Sequence, residues 1–234
     1  MTKQDAIRAV DEALAARYGD RRWPGRSDPL GGLIATILSQ STTSRNSRAA
    51  HASLTEQYAS WEQVAAAPVE DIATAIYQGG LAHQKAERIK TILRQLQAER
   101  GVLCLDFLEQ MAPEEAAAYL TSFRGVGPKT AACVLLFDLG KPVSPVDTHV
   151  FRIAVRLGWI EEGTTPQRAH SALGLLVPAD IAYRLHVNLV AHGRTTCLAR
   201  HPRCAGCPLL KFCPWGLEAA EQSGASGQIA QRPA

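Results

Sequence analysis

Apolar residues recur along this chain at intervals of three and four, and no credible alternating stretch interrupts them. Over residues 4–18 the apolar face is Ile7, Val10, Leu14 and Ala15, the spacing of an amphipathic helix. Arg21-Arg22-Trp23-Pro24-Gly25 breaks it. Residues 33–38 predict a short, strongly apolar helix, and Ser44 is placed to cap the next, which runs to 58. Short helices follow over 61–67 and 69–77, then an amphipathic one over 84–99 with Ile89, Ile92, Leu93 and Leu96 inward. Pro113 and Pro128 suit the first turns of helices reaching 123 and 139. Asp147 is placed to cap a helix to 157, and residues 166–176 and 180–192 complete the set. The pattern predicts an all-α protein.

Composition supports helix: alanine and leucine dominate, and aromatics are only 6%. No apolar run approaches the roughly 18 residues of a membrane span. The N-terminus has no apolar signal core, so the cytoplasm is the expected location, with no membrane partner. A net charge of +3 is too small to identify a nucleic-acid ligand. Its distribution says more, because residues 181–217 contain no acid but include Arg184, Arg194, Arg200, Arg203 and Lys211. Such a stretch suits a phosphate backbone, and equally a solvated basic surface. Six cysteines in a cytosolic chain argue against a disulfide framework. Cys104 and Cys133 stand apart and read as small buried hydrophobes, while the other four are clustered.

The most informative internal stretch runs from Phe123 to Ala132, Phe-Arg-Gly-Val-Gly-Pro-Lys-Thr-Ala-Ala. Glycines permit the positive φ of a tight turn and let a ligand approach the backbone. The helix that follows presents free N–H groups to an anion such as a DNA phosphate. Downstream stands Val146-Asp147-Thr148-His149-Val150-Phe151-Arg152. Together these motifs resemble the helix-hairpin-helix DNA glycosylases of the endonuclease III type. Gly80-Leu81 with Lys85-Ala86, and His192-Gly193-Arg194, fall in matching order, so the resemblance spans about residues 33–213.

The resemblance implies a bifunctional base-excision glycosylase and apurinic/apyrimidinic lyase acting on oxidised pyrimidines. Lys129 would be the nucleophile and Asp147 the catalytic carboxylate. A lysine must lose its proton to attack a sugar carbon, and a carboxylate can relay that proton. The damaged base must leave the stack, and Leu81 is the candidate apolar wedge for the gap. DNA contacts are expected from Gln40 and Ser41, from Gly125, Val126, Gly127 and Thr130 of the hairpin, and from His149, Arg194 and Arg200. The chain departs from the family pattern at Ser41, where glutamine is usual with Gln40 one place earlier, and at Ser44, where aspartate is usual. Arg124 stands where proline is common and could add a phosphate contact. The expected partner is double-stranded DNA with damaged bases or abasic sites, bound by a monomer that would be nucleoid-associated in a bacterium.

Cys197, Cys204, Cys207 and Cys213 follow the spacing x6, x2, x5. Four thiolates can hold zinc or an iron–sulfur cluster. Only one close pair occurs, and the resemblance assigns this uneven spacing to a 4Fe–4S cluster that staples a basic loop. The implied architecture is two-lobed: a six-helix barrel with the hairpin over 23–139, an iron–sulfur lobe from 1–22 plus 140–215, and a disordered tail over 216–234. Two other functions fit the same motifs: a uracil or thymine mismatch glycosylase on this scaffold, and a non-catalytic DNA-binding iron–sulfur module.

Overall fold

Small polar residues stand where the helices begin. Thr2, Asp28, Thr43, Ser60, Asp147 and Thr165 each accept a hydrogen bond from a first-turn N–H of the helix that follows. Each satisfies a donor that the helix itself leaves unpaired. The computed structural model describes residues 2–219, and no strand occurs among them. The chain divides into two units: Gly25–Lys141, and Met1–Pro24 with Pro142–Ala234.

The second unit in chain order, α1 (Lys3–Tyr18) apart, carries α2 (Pro29–Leu38), α3 (Ser44–Gln57), α4 (Trp61–Ala66), α5 (Val69–Ala75), α6 (Ala82–Arg100), α7 (Pro113–Ser122) and α8 (Pro128–Cys133). Leu30, Leu33, Ile34, Ile37 and Leu38 are fully buried, so α2 is its central helix. It packs against α3, α6 and α8. The cap of α3 is Thr43, one residue before the expected Ser44. Beyond Cys133 the chain widens into a π-helical turn over Val134–Asp138 instead of continuing as α-helix to 139. Val134, Leu135 and Leu136 are all buried, so their apolar pattern has no exposed face from which a change of pitch could be read. Cys133 is buried and Cys104 half-buried, and none of the six cysteines is in a disulfide.

The other unit joins α1 to α9 (Thr148–Arg156), α10 (Pro166–Leu176) and α11 (Ala182–Thr195). Helix α11 packs on both α1 and α9. Their shared core holds Ile7, Val10, Leu14, Val150, Ile153, Leu185 and Leu189. Asp11 lies in the interior of α1, and Arg184 Nε donates to it at 2.9 Å while Nη1 reaches Asp20 at 2.8 Å. Burial alone would disfavour the Asp11 charge, and Arg184 offsets this. Arg184 therefore serves the fold, unlike the other arginines of the acid-free stretch. Residues 214–219 are helical, which corrects the expectation of a disordered tail from 216; the remainder, 220–234, lies outside the described residues. Among the described residues no single helix is long and apolar enough to cross a membrane.

Candidate active site

The hairpin is built by packing beneath it and glycine within it. Phe123 is buried and meets Tyr119 edge to face, with ring centroids 5.4 Å apart. Val126 N donates to Phe123 O at 3.0 Å and closes the turn. Gly125 has φ +84°, and a Cβ added there would sit 2.4 Å from Arg88 Nε. Both facts demand glycine. Gly127 caps α8, Pro128 takes its first position and Lys129 its second. The Lys129 side chain is half-buried, and its Nζ has no hydrogen bond or ion pair among the described residues.

Thr130 is buried beside it and receives Gln40 Nε2 at 3.4 Å. Arg88 Nη1 donates to Gln40 Oε1 at 2.6 Å, so the Gln40 amide is engaged at both ends. Its neighbour Ser41 is exposed, with φ +54°. Leu81 also takes a left-handed conformation, φ +50°, and is 56% exposed. A core role for Leu81 is thereby excluded. Beneath these loops lies Lys85, only 2% exposed. Its Nζ donates to Leu38 O and Gly79 O, both at 2.8 Å. Burial first, and Arg88 second, push its pKa below the ordinary lysine range. One ammonium thus ties the end of α2, which leads into Gln40 and Ser41, to the turn carrying Leu81.

Asp147 belongs to the other unit. Its Oδ1 accepts from His149 N at 2.9 Å and Val150 N at 2.8 Å, as a cap should. Its Oδ2 enters no hydrogen bond among the described residues and remains available for chemistry. His149 is half-buried, with Arg152 Nη2 3.1 Å from Nδ1. Gly193 packs so closely that a Cβ there would sit 2.6 Å from that of His149. Arg194 and Arg200 are exposed and unpaired among the described residues.

All four clustered cysteines line one cavity, together with Arg156, His192 and Trp215. Arg156 Nη1 lies 3.1 Å from Cys197 Sγ, His192 Nε2 3.6 Å from Cys207 Sγ, and Gly216 N donates to Cys213 Sγ at 3.3 Å. Burial and Arg152 depress His192 to about 4, leaving a neutral imidazole, and burial pushes the Cys207 thiol up to about 11. Among the described residues no three metal-ligating side chains converge tightly enough for a single ion. Four soft sulfurs around a shared cavity, ringed by donors, are a donor set that fits a thiolate-held metal group.

Sequence reasoning did not single out Lys85, Arg88, Arg152 and Arg156 as supports of the site. Arg152 donates to Cys197 O from Nε at 3.0 Å and Nη2 at 2.7 Å, and to Gly193 O at 2.9 Å. Its spacing of four from Arg156 marks one helix face, which is a usable signal. Arg88 has no such signal, because its partners lie 48 and 37 positions away at Gln40 and Gly125.

A family model described as HhH-GPD superfamily base excision DNA repair protein matches residues 34–179. The chain is 44% identical over 165 residues to a provisionally named DNA glycosylase of Arabidopsis thaliana, a match spanning 70% of this chain and 56% of that protein. It is 38% identical over 187 residues to Endonuclease III of Thermotoga maritima, covering 80% and 83% of the two. Among solved structures, a non-covalent Endonuclease III–DNA complex matches with TM-score 0.76 at 27% identity, covering 94% of this chain and 99% of that one.

Proposed function

Since the chain belongs to the HhH-GPD superfamily of base excision DNA repair proteins, we propose that it is a bifunctional DNA glycosylase and apurinic/apyrimidinic lyase for oxidised pyrimidines. The observation that carries this is Lys129: an amine with no partner among the described residues, in the first turn of the helix that leaves the hairpin. Lys85, by contrast, spends its ammonium on two backbone carbonyls.

In this mechanism uncharged Lys129 Nζ attacks C1′ of the flipped nucleotide. The glycosidic bond breaks, and the base leaves with its electron pair and takes up a proton. Loss of an amine proton and opening of the sugar ring give a Schiff base. Removal of a C2′ proton then expels the 3′ phosphate by β-elimination and breaks the strand. Asp147, through its free Oδ2, relays protons and stabilises positive charge on the sugar. Leu81 fills the gap left by the flipped base, and its exposure supports that role.

Cys197, Cys204, Cys207 and Cys213 would hold a 4Fe–4S cluster. When bound, it supplies metal–thiolate bonds that close a loop too short for a core of its own. Arg194 and Arg200 then meet the DNA backbone from this unit.

Borohydride trapping tests the proposal on duplexes carrying thymine glycol, an abasic site, or a G·T or G·U mismatch. Wild-type protein should give a covalent adduct with thymine glycol and abasic DNA, and Lys129→Ala should give none. Undiminished trapping by that variant would remove Lys129 from the mechanism. Base release confined to mismatches would assign the alternative specificity.

A further inference from the structure

Beside the hairpin lies a groove of about 630 Å³ whose lining includes Arg88, Lys90 and Arg94 of α6 and Arg124 and Gly125 of the hairpin. Glu87 is its sole carboxylate. The Lys90 ammonium is spent on Ala67 O, and Arg88 reaches back to Gln40. Arg94 and Arg124 are different: both are exposed and unpaired among the described residues.

The groove's inner wall is fixed to the hairpin, because Gly125 rests on the Arg88 side chain at a distance that leaves no room for a Cβ. From Arg88 to Arg94 is six residues, about 9 Å along a helix axis. That length matches more than one phosphate of a DNA strand. Two free guanidinium groups suit phosphate oxygens, which they can bind in a bidentate fork.

We propose that this groove is a second phosphate site, which takes the phosphodiester backbone of the strand held at the hairpin and carries the contact outward along α6. The proposal rests on the DNA-repair function above, adds Arg94 to the DNA-binding residues and places the phosphate contact expected of Arg124 in this groove. Neither group touches the reacting sugar, so the site contributes affinity and salt dependence rather than chemistry.

The test compares wild-type protein with Arg94→Ala/Arg124→Ala in binding an undamaged duplex over a range of salt concentrations. Each phosphate contact contributes about 0.9 to the slope of log affinity against log salt, so the slope should fall by roughly 2. Affinity at physiological salt should drop by roughly 10- to 30-fold. Single-turnover cleavage of abasic DNA at saturating enzyme by Arg94→Ala should stay at the wild-type rate, and Arg94→Lys/Arg124→Lys should keep most of the slope. An unchanged slope in the alanine variant overturns the groove assignment alone. Wild-type protein that binds no duplex overturns both the groove and the function on which it rests.

Discussion

The guanidinium of Arg156 lies 3.1 Å from the sulfur of Cys197, while the same residue's carbonyl oxygen lies 3.3 Å from the sulfur of Cys213. Arg156 also stacks over Trp215 at 4.1 Å and donates to Leu198 O at 2.8 Å. One residue therefore touches both ends of the cysteine loop, through its side chain at Cys197 and its backbone carbonyl at Cys213. If the loop holds the proposed cluster, Arg156→Met should release iron to a chelator roughly 10-fold faster than wild type, the usual scale for losing an outer-sphere contact. Iron content and visible absorbance follow this directly. A wild-type protein that purifies colourless with zinc would show that the loop holds a different metal.

Asp147 combines two duties that substitution can separate. Asparagine caps a helix about as well as aspartate, whereas alanine costs about 1 kcal/mol. Asp147→Asn should melt within about 0.5 kcal/mol of wild type yet lose roughly 10²- to 10⁴-fold in rate, the usual range for a general acid–base group. Asp147→Ala should lose both stability and rate. An Asp147→Asn variant of wild-type activity would reduce this residue to a cap.

Replacing Lys85 by methionine keeps the apolar stem but strands two carbonyls, Leu38 O and Gly79 O, without their donor. Such buried groups cost about 1–3 kcal/mol each. A loss of about 2–5 kcal/mol in urea unfolding is expected, with faster proteolysis in the two loops it joins. By contrast, Leu81→Ala should leave stability within about 0.5 kcal/mol, because that side chain is already in solvent.

Asp138 should make stability depend on pH. It accepts Ser27 Oγ at 2.7 Å, but burial raises its carboxyl to about 6, with Asp28 adding to the effect. Gly32 leaves it room, since a Cβ there would lie 1.9 Å from Oδ2. A raised folded-state value means that the neutral acid is favoured by folding. That stability is present in full below about 3.8 and is lost as pH rises through about 6. Asp138→Asn should therefore stabilise the protein by about 3 kcal/mol at pH 7.5 and change little at pH 4. Urea midpoints at the two values measure this, and equal differences at both would contradict it.

Helices were readable because their signals are local. The cap at Asp147, the prolines at 113 and 128 and the apolar spacing of α1 and α6 all act within a turn or two. The hairpin was readable for the same reason: Gly125 needs its positive φ whatever surrounds it. The supports of the site were hidden because they join distant positions. Lys85 looks like any helix-surface lysine until Leu38 O is found 47 residues away. Gln40 reads as a free polar side chain until Arg88 and Thr130 close on it.

The unit that begins with α1 is interrupted by the whole of Gly25–Lys141, and α1 packs on α11 near its other end. During synthesis the inserted stretch is complete once residue 141 has emerged. Ile7, Val10 and Leu14, made before it, must wait for Leu185 and Leu189 before they can be covered. Helix α1 is thus made well before its partner, and its apolar stripe is open to chaperones and proteases until α11 has been synthesised.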